Sequence, residues 1–442
     1  MNRMLGWGRA RFLPGATGLA AVVLIFGAAV ALGAVSYGAG PVREISRCPG
    51  DNTEVEQAVD PTGSYVYEEW IGCNGIGFAR STDGGLHFGR VVRLRGSRPE
   101  SWDPAVTVAP NGTVYAAFIV GQRSRAFPVV LASFDHGASF PQETALVPPR
   151  RNSWGDRDFI AAGSNNTVYV TWDYMPYLSA IKVRCPRGGS CAFTAGDLNI
   201  VMQVSTNGGK TFGPMIHVSP GYPASGADSA PLLVEPRGRI DVLFERYRVT
   251  RRRTLTLGTG SHYFTSSSDR GHTWSKPVKV GGSVGTISPL DWWIDGAIAI
   301  DAGGNLYATW DTQGRRHDMG WLAYSTDHGV TWSAPVRVTR DVAKVPHIVQ
   351  PAGGADDIAY VGWLTDQRPW GYAQYLRTFS IARGWLSPPR RISRQFGDPG
   401  IWPGDTFGIS TLFPKDVVVS WGSGLRSSGR RSEIFARPVG VR

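Results

Sequence analysis

Carboxylates recur at one position of a repeated strand pattern in this chain, at the start of a β-prone inner strand. They are Asp103 in Ser101-Trp102-Asp103-Pro104, Asp158 in Gly155-Asp156-Arg157-Asp158, Asp228, Asp295 in Asp291-Trp292-Trp293-Ile294-Asp295, and Asp405 in Pro403-Gly404-Asp405, with His347 in the same place of one repeat. A second set follows the next strand: Asp173, Glu245-Arg246, Asp311 with Arg315, and Asp366 with Arg368. Acids gathered with guanidiniums and indoles suit a sugar ring. Carboxylates transfer protons or accept from hydroxyls, planar Arg forks hold an anionic substituent, and Trp or Tyr stacks on the ring. On this reading Asp158, Asp295, Asp405 and Glu245 are candidate catalytic acids, and Trp102, Asp103, Arg157, Asp228, Arg246, Arg315 and Arg368 are candidate substrate contacts. The competing reading has the repeated Asp residues capping strand entrances by accepting backbone N–H groups of the next unit. It leaves the non-repeated Arg157, Glu245, Arg246 and Arg368 as the better ligand contacts. Two ring carboxylates could also cleave a glycosidic bond, their separation deciding retention or inversion. No cofactor is required by these groups, and Ca2+ is a candidate ion because clustered Asp side chains and loop carbonyls are suitable ligands.

The elements that carry these residues are strands. Seven β-prone runs each end on an aromatic: Tyr67 to Trp70, Tyr115 to Phe118, Tyr169 to Trp172, Asp241 to Phe244, Tyr307 to Trp310, Tyr360 to Trp363 and Val418 to Trp421. Turn signals such as Pro110-Asn111-Gly112 precede them, which predicts a hairpin to the inner strand. Five copies of Ser-x-Asp-x-Gly-x-x-aromatic, the third with Asn for Asp, begin at Ser81, Ser133, Ser205, Ser267 and Ser325. In each, the short acid can fold onto backbone N–H groups of its own turn, Gly takes the positive φ, and the aromatic buries beneath. Spacings of 52, 72, 62 and 58 residues match sheet-sized units and not helical repeats. A sixth unit keeps the remnant Arg383-Gly384-Trp385, and the seventh has no fourth strand after Glu433-Ile434-Phe435-Ala436. Val42-Arg43-Glu44-Ile45-Ser46 resembles fourth strands such as Val336-Arg337-Val338-Thr339, so residues 42–46 are expected to close the last unit and remove both open edges.

These repeats are similar to Asp-boxes, or BNR repeats, and the chain resembles a sialidase-superfamily β-propeller. The resemblance implies an all-β fold over residues 41–442 with four-stranded antiparallel blades, seven by the strand count and six if the family's usual number holds. It also implies that the boxes turn between third and fourth strands on the face away from the ligand, and that a central funnel carries the chemistry. Family enzymes hold a substrate carboxylate with three arginines, use a Tyr assisted by a Glu as nucleophile, and use an Asp as acid/base. Arg246 resembles one of those arginines; the Arg-Ile-Pro signature is missing, and the Tyr position falls near Asp405-Thr406-Phe407, which has no Tyr. The Glu position falls near Asp228-Ser229. The expected function is an exported, envelope-associated propeller that binds, and by its acids could hydrolyse, glycans; the alternative is a non-catalytic scaffold presenting loops to a cell-surface partner.

The bulk numbers agree with a packed toroid. The chain has 442 residues, 42% of them hydrophobic and 18% charged, with Gly and Pro enough for many turns. Its net charge of +11 lies in scattered Arg, densest at Arg251-Arg252-Arg253, and no nucleic-acid module is present, so nucleic acid is not an expected partner and a monomer is. Residues 1–40, with Arg3, Arg9 and Arg11 before an uncharged run from Phe12 to Val42, predict one apolar helix acting as signal or membrane anchor and hence an extracytoplasmic location. Export permits disulfides, and the spacing favours Cys48 with Cys73 and Cys185 with Cys191, the latter in an insertion near Pro176 to Asn199. His262, His272 and His317 are expected at the surface.

Overall fold

Because one face of each aromatic-ended strand must be buried on both sides, that strand takes second place in a sheet between two partners. The computed structural model describes residues 36–442 except 123, 177–182, 185–191, 194–198, 220–224, 251–255, 282–295, 313–318, 342–347, 368–370, 413–414 and 426–430. Its seven second strands are Val66–Gly72, Val114–Gln122, Val168–Met175, Ile240–Thr250, Leu306–Thr312, Ile358–Gln367 and Asp416–Gly424. Each pairs antiparallel with a first and a third strand, and a short fourth strand completes the sheet. The chain is therefore an all-β propeller of seven blades, and the six-blade alternative falls. Blades 1 to 7 start at Thr53, Ser101, Trp154, Ser225, Ala297, Ile348 and Gly408. The seven signature aromatics, from Trp70 to Trp421, are all at most 3% exposed. Gly77, opposite Trp70 on the third strand, is required there, because a Cβ would sit 2.5 Å from the indole. A small hairpin, Val183–Arg184 with Ala192–Phe193, lies in the insertion between the second and third strands of blade 3.

The five boxes form the same corner. The box Ser Oγ accepts the N–H of the conserved-spacing Gly (Gly85, Gly137, Gly209, Gly271, Gly329) at 2.8–2.9 Å. Oδ1 of the Asp or Asn accepts the N–H four residues on at 2.8–3.0 Å. All five glycines have positive φ. The aromatics are half-buried, each against the core of its own region, as with Phe140 and Trp332. Hydroxyls of Ser139, Thr273 and Thr331 donate to the second oxygens of Asp135, Asp269 and Asp327 and lower these acids to about 2. Blade 6 has no box Asp, yet Ser380 Oγ and the N–H of Ala382 both donate to Asp357, which reaches over from the preceding hairpin. The boxes lie on the side of the hairpin turns between first and second strands, since Gly84 N–H donates to Ser64 and Gly208 N–H to Asn166. Inner-strand starts and second-strand exits lie at the other end.

The ring closes through both chain ends. Arg43 and Glu44 pair with Ala436 and Phe435, as expected for residues 42–46. Tyr37–Ala39 also pairs with Val439 to Val441, so the sheet takes in residues that the sequence assigned to the leader. Blade 7 then meets blade 1: Gln57 Nε2 donates to Ser420 Oγ at 3.2 Å, the N–H of Glu54 to the Pro403 carbonyl at 3.4 Å, and Val66 packs with Leu412 and Val418. Cys48 and Cys73 are joined in a disulfide next to this seam. Cys185, Cys191 and the expected N-terminal helix lie outside the described residues, among which no helix is long and apolar enough to cross a membrane.

Two predictions follow from the seam. The Cys48–Cys73 bridge closes a loop of 25 residues, so a Cys48→Ser/Cys73→Ser chain should lose about 3 kcal/mol in chemical denaturation, and reductant should reproduce the loss in the natural chain but not in the variant. Glu68, fully buried and bound to Gln57, is pushed up to about 8 by burial. An acid whose folded pKa is raised binds more protons folded than unfolded, so stability falls as pH rises from about 4 to about 8. Melting temperature should drop across that interval, and Glu68→Gln should flatten the profile.

Candidate functional site

The inner strands of the first three blades do not run straight to the mouth of the ring. Each slips register once, between Thr53 and Val55, Trp102 and Ala105, and Asp156 and Phe159. The bulges hold non-glycine residues in the left-handed region: Glu54 at φ 52°, Asp103 at 48° and Arg157 at 46°. Ser229, at 50°, stands between the two pieces of the first strand of blade 4, and Gly404, at 103°, precedes Asp405. Such conformations cost on the order of 1–3 kcal/mol each, and a bulge re-aims the side chains around it. Here it turns charged groups of four blades toward one space.

That space is a cavity of about 360 Å³ lined by Glu54, Trp102, Asp103, Trp154, Asp156, Arg157 and Asp405. The rings of Trp102 and Trp154 stack, with centroids 5.5 Å apart and planes at 26°. Their indole N–H groups both donate to Asp156, Trp102 Nε1 to Oδ1 at 2.6 Å and Trp154 Nε1 to Oδ2 at 3.1 Å. Arg157 Nη2 lies 3.4 Å from Asp405 Oδ2, and the Arg157 backbone N–H donates to Asp103 Oδ2 at 2.7 Å. A chamber of about 100 Å³ shares Asp103 and Arg157 as a wall and adds Glu56 and Asp158 above an apolar floor that includes Phe159 and Leu232. A larger cavity of about 490 Å³ lies between the first two boxes. Two of its charged groups are already engaged: Asp83 is closed onto its own turn, and Arg80 Nη1 donates to the carbonyls of Asp135 and His136.

Among the described residues the funnel is short of positive charge. Burial pushes the Asp103 carboxyl well above the usual range, the charges of Asp156 and Glu54 push it further, and Arg157 only partly opposes them. Burial likewise raises Asp405, against the pull of Arg157. Asp158 and Glu69 are raised by burial, and Glu69 further by Asp158. Asp158 is 3% exposed and Glu69 fully buried; among the described residues no side chain donates to any of their four carboxyl oxygens or to Asp405 Oδ1, and Asp158 and Asp405 are drawn down only in part by their own backbone N–H groups. Asp103 therefore holds its proton more tightly than an exposed carboxyl does, which suits it to donate one.

Of the residues expected from the sequence, the structure brings Trp102, Asp103, Arg157 and Asp405 together and sets Asp158 in the adjoining chamber. The capping reading also holds in part. It fits Asp103, which accepts the Arg157 N–H of the next blade; Asp228 accepts only the N–H of its own chain neighbour Ser229, at 2.9 Å, and the second-strand Asp173 accepts the same N–H at 3.3 Å. Glu245 lies instead against His262, 3.2 Å from its Nε2. His262 is 1% exposed and not a surface residue, because strand alternation turns it inward beside Trp310, where burial lowers it to about 3. Arg246 stands over the Tyr263 ring at 5.8 Å and does not line the cavity. Asp295, Arg315, Arg368, His317 and His347 lie outside the described residues. The sequence reading passed over Glu54, Glu56, Trp154 and Asp156. Trp154 and Asp156 repeat the Trp-before-acid pattern of Trp102 and Asp103, which was the available signal; for Glu54 a register slip that alternation cannot show decides which side chain faces inward.

The BNR/Asp-box repeat family model matches residues 323–334, the fifth box. No curated protein sequence matches the chain. Among solved structures, an ulvan lyase from a new family of polysaccharide lyases, bound to -[GlcA(1-4)Rha3S]-, superposes with a TM-score of 0.54 at 12% identity over 89% of this chain and 95% of that one. A Dyadobacter fermentans protein of unknown function gives 0.52 at 15% over 92% and 99%, and the NanB sialidase of Streptococcus pneumoniae gives 0.50 at 10% over 85% and 83%. At such identities the likeness is one of fold. With five corners sharing the same two backbone hydrogen bonds and seven four-stranded blades, the chain is a seven-bladed β-propeller that carries the BNR/Asp-box repeat.

Proposed function

We propose that this propeller is an exported glycan-binding protein whose ligand lies in the funnel between blades 1, 2, 3 and 7, and that Asp103 gives it the means to cleave a glycosidic bond. The observation that carries the reading is the stacked Trp102–Trp154 pair, clamped by Asp156 at the mouth of a cavity lined with carboxyl groups. Half-exposed indoles with fixed orientation offer a face for a pyranose, and the surrounding acids accept from its hydroxyls. The similarity of fold to an ulvan lyase and a sialidase supports a glycan as ligand. Sialic acid is not favoured: among the described residues Arg157 is the only guanidinium lining the cavity, where three would be needed to hold a carboxylate as sialidases do. The Cys48–Cys73 bridge supports an oxidising compartment, with the N-terminal apolar run as signal or anchor.

A glycan array probed with the full chain should show retention that Trp102→Ala and Trp154→Ala each weaken roughly tenfold, about 1.4 kcal/mol. Unchanged retention in both variants would remove the funnel as the binding site. On a glycan that the chain cleaves, Asp103→Asn, which tolerates the left-handed bulge, should lower turnover about a hundredfold while retention persists; equal turnover would show that Asp103 is not the proton donor.

A further inference from the structure

The sign of the funnel is opposite to that of the chain. Over 442 residues the formal charge is +11, yet among the described residues the cavity is lined by Glu54, Asp103, Asp156 and Asp405 with one guanidinium, Arg157. The adjoining chamber continues the imbalance with Glu56 and Asp158, and Glu69 stands behind it. Both oxygens of Asp158, 97% buried by its 3% exposure, accept from no side chain among the described residues. Leaving such a group unmatched is costly unless it is neutralised or given a donor by a ligand. A chamber of about 100 Å³ is the size of a few water molecules, too small for a sugar ring and large enough for an ammonium group.

We infer that the funnel selects glycans bearing free amino groups, with a sugar ring on the Trp102–Trp154 face and its ammonium directed to Asp158 in the chamber. This rests on the glycan reading above and narrows it. Two of the three N–H donors of an ammonium match the Asp158 oxygens, which accept from no side chain among the described residues. The indoles add cation–π attraction at the mouth. A metal ion is the less suited occupant, since among the described residues no three His, Cys, Asp or Glu side chains converge as a cation cage. Arrival of a positive charge also favours ionisation of the carboxyls that burial has raised, so binding should release protons.

The test is calorimetric titration of the full chain, at mildly acidic pH, with β-1,4-linked oligomers of glucosamine, of N-acetylglucosamine and of galacturonate, in two buffers of different ionisation heat. The glucosamine oligomer should bind at least tenfold more tightly than its N-acetylated counterpart, with proton release and with an affinity that falls as salt is added. Asp158→Asn and, independently, Glu56→Gln should each reduce that ratio severalfold, melting curves verifying the fold of both. Equal affinity for the glucosamine and N-acetylglucosamine oligomers overturns the selectivity while leaving a glycan-binding funnel in place. Preference for galacturonate overturns it as well, and binding of no oligomer removes the glycan reading together with the inference. Stabilisation by Ca2+ alone that Asp158→Asn abolishes would assign the chamber to a metal ion and overturn the proposal.

Discussion

The seam between the two chain ends bears on every other part of the ring. A toroid of seven sheets has no free edge only if the last blade receives its outer strand from the start of the chain, and here Tyr37–Ala39 and Arg43–Glu44 supply it. The funnel depends on the same seam. Glu54 and Asp405 approach the cavity from opposite sides of it, and the N–H of Glu54 is held by the carbonyl of Pro403, one residue before the Gly404 that turns Asp405 inward. An opened ring would keep most blades intact and lose the site.

The two ends of the blades treat carboxylates in opposite ways. At the box corners, Asp135, Asp269 and Asp327 accept several donors each and sit well below the ordinary range, which rigidifies the turns. At the mouth, Asp103, Asp158 and Asp405 are buried among one another with too few donors and sit above it. Strained bulges hold them there at a cost to stability. Acids of the first kind build the scaffold; acids of the second kind are the ones left with capacity for a ligand.

Much of this architecture was legible in the sequence because it repeats. Five boxes and seven aromatic-ended strands give the blade count, and the likeness of residues 42–46 to other fourth strands gives the closure. Asp103 and Asp405 were legible because they stand at equivalent strand starts, and Arg157 because it breaks the repeat beside one of them. What the sequence does not display is register. Alternation alone gives no sign of the slips at Glu54, Asp103 and Arg157, and so none of which neighbours swing into the cavity; Asp156, next to the expected Arg157, is the acid that clamps the indole pair. His262 shows the same limit in another place, since a lone histidine in a strand is turned in or out by a single residue of phase.

Asp357 shows how loosely the corner is bound to its motif. In blade 6 a carboxylate from the neighbouring hairpin serves Ser380 and Ala382 just as a box Asp serves its own turn. The geometry asks for an acid within reach, from whatever point of the chain it comes. Repeats of this kind can therefore drift until two blades of seven lack the pattern, while every blade persists, so counting motifs sets a lower bound on the number of blades and says little about the upper one.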